Sequence, residues 1–270
     1  MKETASNLKG MYMELGGWSV PTNIVSGITT KYNGVSKAPY DSLNMGLHVG
    51  DKPEDVVRNR QLLAEAIQFP LDTWVLGEQV HGTEIAVATR SEAGRGSREL
   101  TDSLPSVDGL ITNEKGMLLA AFFADCVPLY FFDSTSEWIG MAHAGWRGTV
   151  SNMAGEMVEA LCTNGANKES IQAMIGPCIS KNRYEVDDHI VQQIPEEFRA
   201  KVLAPSGSDR YYLDLQMLNR LYLLHAGILE ENILTAAYCT YDSPEFYSHR
   251  EDQGKTGRMI GFIGMKEEQT

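Results

Sequence analysis

A chain of 270 residues with 43% hydrophobic and 22% charged side chains has the composition of a soluble globular protein and is long enough to bury a sizeable core. Its net charge of −13 excludes a basic nucleic-acid footprint and gives no attraction to anionic membranes. No run reaches the ~20 apolar residues of a membrane span, and the start Met1-Lys2-Glu3-Thr4 lacks the apolar core of a signal peptide, so a cytoplasmic protein without nucleic-acid or membrane partners is expected.

The first predicted strand covers residues 24–31, followed by a turn at 32–36 and a loop rich in Gly and Asn at 42–51. Asp51 suits a helix cap and Pro53 the first turn of a helix that runs to about Phe69, before Pro70. Its apolar face is Val56, Val57, Leu63, Ala64 and Ile67, and Arg60 falls in the middle of it. An arginine there needs a partner, because an unpaired buried charge is expensive. A structural salt bridge, a snorkelling stem or a bound anion would each supply one. Strands are predicted at 73–76 and 84–88, flanking Gln79-Val80-His81-Gly82, and residues 90–107 read as an exposed polar loop. An ordered stretch begins at Asp108.

Met117–Phe123 is a continuous apolar run, as expected of a strand covered on both faces. It ends in Ala124-Asp125-Cys126-Val127-Pro128. Two further strands, at 129–132 and 138–141, lead to His143-Ala144-Gly145-Trp146-Arg147-Gly148. The helix after Gly148 places Val150, Met153, Ala154, Met157, Val158, Leu161 and Cys162 on one face and stops at Asn164-Gly165. A strand at 172–176, helices at 187–194 and 213–225, and strands at 233–239 and Met259–Met265 complete the chain. The last two strands enclose a polar loop carrying Ser248-His249-Arg250 and, further on, Arg258. Strands and helices mix without strict alternation, which predicts a layered α/β fold with mixed sheets flanked by helices. A single domain over 1–270, with its core at about 20–265, is expected.

Two apolar segments end in potential ligands, Cys126 and His143, and a third, His81, sits beside glycine. Two imidazoles and a thiolate with an open fourth position suit catalytic zinc, and copper accepts the same donors. The 45- and 17-residue gaps are not those of a zinc finger, so a small core cysteine and hydrogen-bonding turn histidines remain the competing reading. Cys162 lies on the apolar helix face and reads as core. Cys178 and Cys239 lean the same way. With no CxxC spacing, the four cysteines are expected as thiols or ligands rather than as a disulfide frame. Asp125 could orient a ligand or move protons, and His48 and His249 could meet substrate. A glycine-rich helix start beside Arg147 favours an anion. No HExxH, Walker A, GxSxG or zinc-deaminase signature is present.

These stretches resemble the YfiH/YlmD family, also called the laccase-domain or multi-copper polyphenol oxidase family. The resemblance rests on Ser42-Leu43-Asn44-Met45-Gly46, Val56 to Arg60, Gln79-Val80-His81-Gly82, Ala124-Asp125-Cys126-Val127-Pro128, His143 to Gly148, Gly176-Pro177-Cys178-Ile179 and Ser248-His249-Arg250. It spans about residues 20–265. It implies a fold similar to the catalytic domain of cytotoxic necrotizing factor, with zinc held by His81, Cys126 and His143. It also implies phosphorolysis of adenosine, inosine and methylthioadenosine, with adenosine deamination beside it. Purine nucleosides and inorganic phosphate are then the partners. Arg60, Arg147, Arg250 and Asn44 are the expected substrate or phosphate contacts, and Asp125 and His48 the expected proton-transfer groups. One departure stands at Lys31, where many relatives carry arginine. The alternatives are a copper-dependent polyphenol oxidoreductase and a non-enzymatic zinc protein. With six histidines and no HxH, the chain cannot build the several copper centres of a multicopper oxidase alone.

Overall fold

A computed structural model describes residues 10–18 and 20–267, and within it the apolar run Met117–Phe123 (β6) is a strand buried along its whole length. Its side chains alternate between two cores. Leu118, Ala120 and Phe122 pack with Leu63, Ile67 and Trp74, whereas Leu119, Ala121 and Phe123 pack with Tyr130, Phe132 and Met141. That period of two explains why the run shows no polar face.

β6 belongs to a five-stranded sheet with Tyr12–Glu14 (β1), Ile24–Thr29 (β2), Trp74–Leu76 (β3) and Met259–Met265 (β14), in the order β1-β2-β14-β6-β3. A six-stranded sheet comprises Ile85–Val87 (β4), Gly109–Thr112 (β5), Val127–Asp133 (β7), Ile139–Ala144 (β8), Ile171–Ile175 (β9) and Ile233–Thr235 (β13), in the order β13-β9-β7-β8-β5-β4. Both sheets mix parallel and antiparallel pairs. The sheets face each other across a core that holds Met13 and Ile28 from one and Leu110 and Ile139 from the other. Helix Pro53–Ile67 (α1) covers the outer face of the first sheet. Helices Trp146–Val150 (α2), Met153–Thr163 (α3) and Leu215–His225 (α6) cover the second. The layered α/β arrangement with mixed sheets is as the pattern of elements indicates, and no helix among the described residues is long and apolar enough to cross a membrane.

The structure departs from expectation where local signals compete. The helix expected after Gly148 is two helices, because Asn152 adopts φ 66° and caps α3 through the Gly155 N–H at 3.1 Å. Lys52, not Asp51, is the N-cap of α1; the Asp51 carboxylate instead accepts from the Lys52 N–H and from Asn44. The strand at 233–239 ends at Thr235, and the helix at 187–194 shrinks to Asp188–Val191 (α4). A small sheet has no expectation in the sequence pattern: Glu185–Asp187 (β10), Leu203–Gly207 (β11) and Arg210–Leu213 (β12), with helix Glu196–Val202 (α5) beside it. Its strands are short and half exposed, so no apolar run marks them.

Residues 90–107 are not a free loop. Ser97, Ser103, Leu104 and Val107 are buried, and Leu104 bridges Gly77. The tie is Arg60. Its guanidinium, fully buried beneath the Phe122 ring at 5.0 Å, donates to the carbonyls of Met45, Gly96 and Ser97 at 2.7–2.9 Å. The expected anion contact at Arg60 is therefore corrected: carbonyl oxygens satisfy this arginine, and it joins α1 to two loops. Replacing Arg60 with Ala strands those carbonyls and should cost about 3 kcal/mol or more in urea unfolding.

Candidate active site

The two sheets are joined where β6 ends and β7 begins. The connection is only Ala124-Asp125-Cys126, and Asp125 turns it with φ 84°. Cys126 thus leaves the last turn beside β8, whose Ala144 pairs with Val127 and whose His143 pairs with Pro128. His81 arrives from the β3–β4 loop with φ 62°. The ligand atoms of His81, Cys126 and His143 all lie within 4.8 Å of one another. Gly145 makes this approach possible, since a Cβ there would sit 2.7 Å from the His81 ring and 3.2 Å from the Cys126 sulfur.

One carboxylate holds the cluster together. Asp108, buried just before β5, accepts from the backbone N–H groups of Val80, His81 and Gly82 at 2.8–3.1 Å. It also takes His143 Nδ1 at 2.8 Å. With Nδ1–H committed to a carboxylate, Nε2 is the nitrogen left for a metal, the usual arrangement behind a ligating histidine. Burial pushes the Asp108 carboxyl up, but the His143 contact and the N–H groups of Gly82 and Val80 outweigh it and hold it below the usual carboxylate range. Burial likewise pushes the Cys126 thiol up, and the adjacent His143 and His81 imidazoles outweigh that and bring it to about 6. His143 is raised to about 9: burial opposes the charge, while the Cys126 thiolate and Asp108 favour it. Between these values the pair is a thiolate facing an imidazolium. The donor set fits a divalent metal such as zinc: two imidazoles, one thiolate prone to ionise and a carboxylate behind one ring.

The triad opens into a cavity of about 590 Å³, a size suited to a small organic substrate. Its walls carry the rings of Phe122, Trp146 and Tyr184. Three arginines reach it. Arg147 lies over the Trp146 ring at 4.5 Å and Arg250 over Tyr184 at 5.1 Å, both exposed. The third is Arg258, from the polar loop before β14. His48 and His249 also line the cavity. Burial, followed by the charges of Arg258 and Arg60, lowers His48 to about 4, so it is neutral at pH 7.

Asp125 lines the cavity too, but its carboxylate accepts from Thr240 Oγ1 at 2.7 Å, Ser248 Oγ at 3.1 Å and the Arg250 N–H at 2.7 Å. It fastens the arginine-bearing loop to the turn before Cys126. Asn44 is fully buried and bonds to Gly46, Asp51 and the Arg258 N–H, so it meets protein rather than substrate. Gln79, in the motif around His81, exchanges two hydrogen bonds with the Phe122 backbone and extends the sheet toward the triad. All four cysteines are free; Cys178 is buried, and Cys162 packs against the core beneath α3.

Two outcomes follow from the Asp108 bridge and the thiolate–imidazolium pair. Asp108→Asn should weaken metal affinity by about 10- to 100-fold in competition with a chelating dye, while far-UV circular dichroism is unchanged. Metal binding near pH 7.5 should release about one proton, that of His143, as read by calorimetry in buffers of different ionisation enthalpy. By the same linkage, affinity should fall about tenfold per pH unit below about 9, where His143 is protonated, and more steeply below about 6, where the Cys126 thiolate also takes up its proton.

Residues 25–266 match the family model described as multi-copper polyphenol oxidoreductase laccase. The protein called purine nucleoside phosphorylase YlmD in Bacillus subtilis is 45% identical over 248 residues, 90% of this chain and 89% of that one. The protein of the same name in Geobacillus stearothermophilus is 47% identical over 251 residues, covering 91% and 92%. The crystal structure of the hypothetical protein YfiH from Bacillus licheniformis superposes with a TM-score of 0.93 at 37% identity, over 97% of this chain and 99% of that one. The chain belongs to the YfiH/YlmD laccase-domain family.

Proposed function

We propose that this chain is a zinc-dependent purine nucleoside phosphorylase acting on adenosine, inosine and methylthioadenosine, with adenosine deamination as a side activity. The observation that carries the reading is the His81–Cys126–His143 triad opening into a cavity that also receives arginines and aromatic rings. The names of relatives 45% and 47% identical over nine-tenths of the chain support the substrate class.

In phosphorolysis a phosphate oxygen forms a bond to the ribose C1′ as the C1′–N9 bond breaks. The base leaves with the bonding electrons and takes up a proton, giving a free purine and ribose 1-phosphate. The chain's residues suit the demands of this reaction. Phe122, Trp146 and Tyr184 offer apolar faces to a purine. Arg147 and Arg250 supply positive charge to phosphate and, being planar forks, can hold it by paired hydrogen bonds. Asp125 keeps Arg250 facing the cavity by accepting its backbone N–H. Neutral His48 offers a donor and an acceptor without adding charge. Zinc, when bound by the triad, supplies a Lewis acid and lowers the pKa of water, the chemistry deamination requires.

The rival reading, phenol oxidation by copper, draws on the family model's description and on the copper-compatible donors. Among the described residues, one cluster alone brings three His, Cys or acidic ligands together, which disfavours a multicopper centre.

The test is adenosine turnover followed by chromatography on metal-analysed protein, with and without phosphate. Adenine and ribose phosphate forming only with phosphate is the expected result. Inosine formed regardless of phosphate would make deamination the main chemistry. Absence of both on zinc-loaded protein, with oxygen uptake from phenols on copper-loaded protein, would overturn the assignment. Cys126→Ala should lose metal and reduce turnover to background while circular dichroism and thermal unfolding stay near wild type; full activity without metal would contradict the proposal.

A further inference from the structure

The turn Asn44-Met45-Gly46 does not itself line the cavity, but it leads to Arg258, which does. This arginine stands immediately before β14. Its backbone N–H donates to Asn44 Oδ1 at 2.9 Å, and its carbonyl accepts from the Met45 N–H at 3.0 Å. Asn44 Oδ1 also accepts from the Gly46 N–H at 2.9 Å, which locks the turn around that pair. Gly46 lies against the arginine stem: a Cβ there would stand 2.9 Å from Arg258 Cγ and 3.3 Å from His48 Cε1. The turn therefore grips both the backbone and the side chain of Arg258.

The guanidinium itself is only half satisfied. Nη1 donates to the carbonyls of Thr256 and Gly257 at 2.9 and 3.0 Å. Among the described residues no carboxylate lies within ion-pair distance of Arg258, and Nε and Nη2 have no protein acceptor. Asp125 is close enough to act on it electrostatically, but that carboxylate already accepts from Thr240, Ser248 and Arg250. Arg258 is partly buried and lines the cavity of the triad. The contrast with the other arginines is informative. Arg60 is saturated by carbonyls, and Arg147 and Arg250 are exposed at the rim. The Nε–Nη2 edge is not sealed in the protein, since neither atom is among the buried polar atoms that lack a partner. It is open to the cavity side of a half-buried cation, where an oxyanion can replace water by charge-assisted hydrogen bonds. That edge is the planar fork that binds two oxygens of one anion.

We propose that Arg258 grips inorganic phosphate in this cavity from within, alongside the rim arginines Arg147 and Arg250, and that the Asn44–Gly46 turn positions it. The role in turnover rests on the phosphorylase reading; the anion site itself does not. The test combines steady-state kinetics with calorimetric titration of inorganic phosphate, on the metal-loaded full chain. Arg258→Ala should raise the KM for phosphate about tenfold or more, with the KM for nucleoside within about twofold, and should weaken phosphate binding in the titration by a similar factor. Arg258→Lys keeps the charge but loses the fork, and should recover only part of the affinity. Gly46→Ala, which leaves the arginine in place but displaces its stem, should reproduce the phosphate-selective defect and guards against misfolding of the alanine variant. An unchanged phosphate KM in folded Arg258→Ala, or equal rises in both KM values across the variants, would overturn the proposal. If the wild type binds phosphate through Arg258 yet cleaves no nucleoside, the phosphorylase reading falls and the anion site stands.

Discussion

Four hydrogen bonds to one buried carboxylate fix the chemistry of this molecule. Asp108 gathers the N–H groups of Val80, His81 and Gly82 and the ring of His143, so a loop and a strand far apart in sequence meet at a single charge. A charge-assisted bond in a dry setting is stronger and shorter than a neutral one, and four of them leave little freedom to the loop. The left-handed conformation of His81 persists because these bonds over-determine it. The same carboxylate sets the electrostatics. It favours protonation of His143, which in turn favours the thiolate of Cys126. Removing Asp108 would disturb geometry and charge together.

The fold serves this constraint by bringing the ends of two sheets to one place. β6 and β7 lie in different sheets yet are separated by three residues, so the chain crosses from one layer to the other at the floor of the cavity. Asp125 and Cys126 occupy that crossing. One faces the arginine loop at 248–250 and the other faces the histidines. The cavity is thus divided by function. Two of the candidate metal donors, Cys126 and His143, come from the sheet junction and the third, His81, from the β3–β4 loop, while the cations come from helix α2 and the long loop before β14. The Asn44 turn reaches across to hold the end of that loop.

Legibility in the sequence followed the physics of each feature. β6 and β14 were read to the residue, because strands buried on both faces carry nothing but apolar side chains. The apolar periodicity of α3 was equally plain, but the break at Asn152 was not, since a left-handed cap leaves no trace in spacing. His81, Cys126 and His143 stand in the sequence only as candidates, each beside glycine or at the end of an apolar run, and the family resemblance is what implies them as ligands; the structure brings their ligand atoms together. Asp108 was not identifiable, because its partners lie 26 to 35 residues away and only the fold makes them neighbours. Arg60 is conspicuous on an apolar helix face, where a salt bridge, a snorkelling stem or an anion would each answer its charge; backbone carbonyls, which have no sequence signature, satisfy it instead. Arg258 was overlooked for the opposite reason: it sits in a polar loop, where an arginine attracts no notice.

X-ray absorption at the zinc edge of metal-loaded protein tests the triad most directly. Zinc bound by His81, Cys126 and His143 gives one sulfur neighbour at about 2.3 Å, two imidazole nitrogens at about 2.0–2.1 Å and a light-atom donor in the remaining position. A shell without sulfur, or with more than one, would contradict the triad as the metal centre, and with it the chemistry assigned to the cavity.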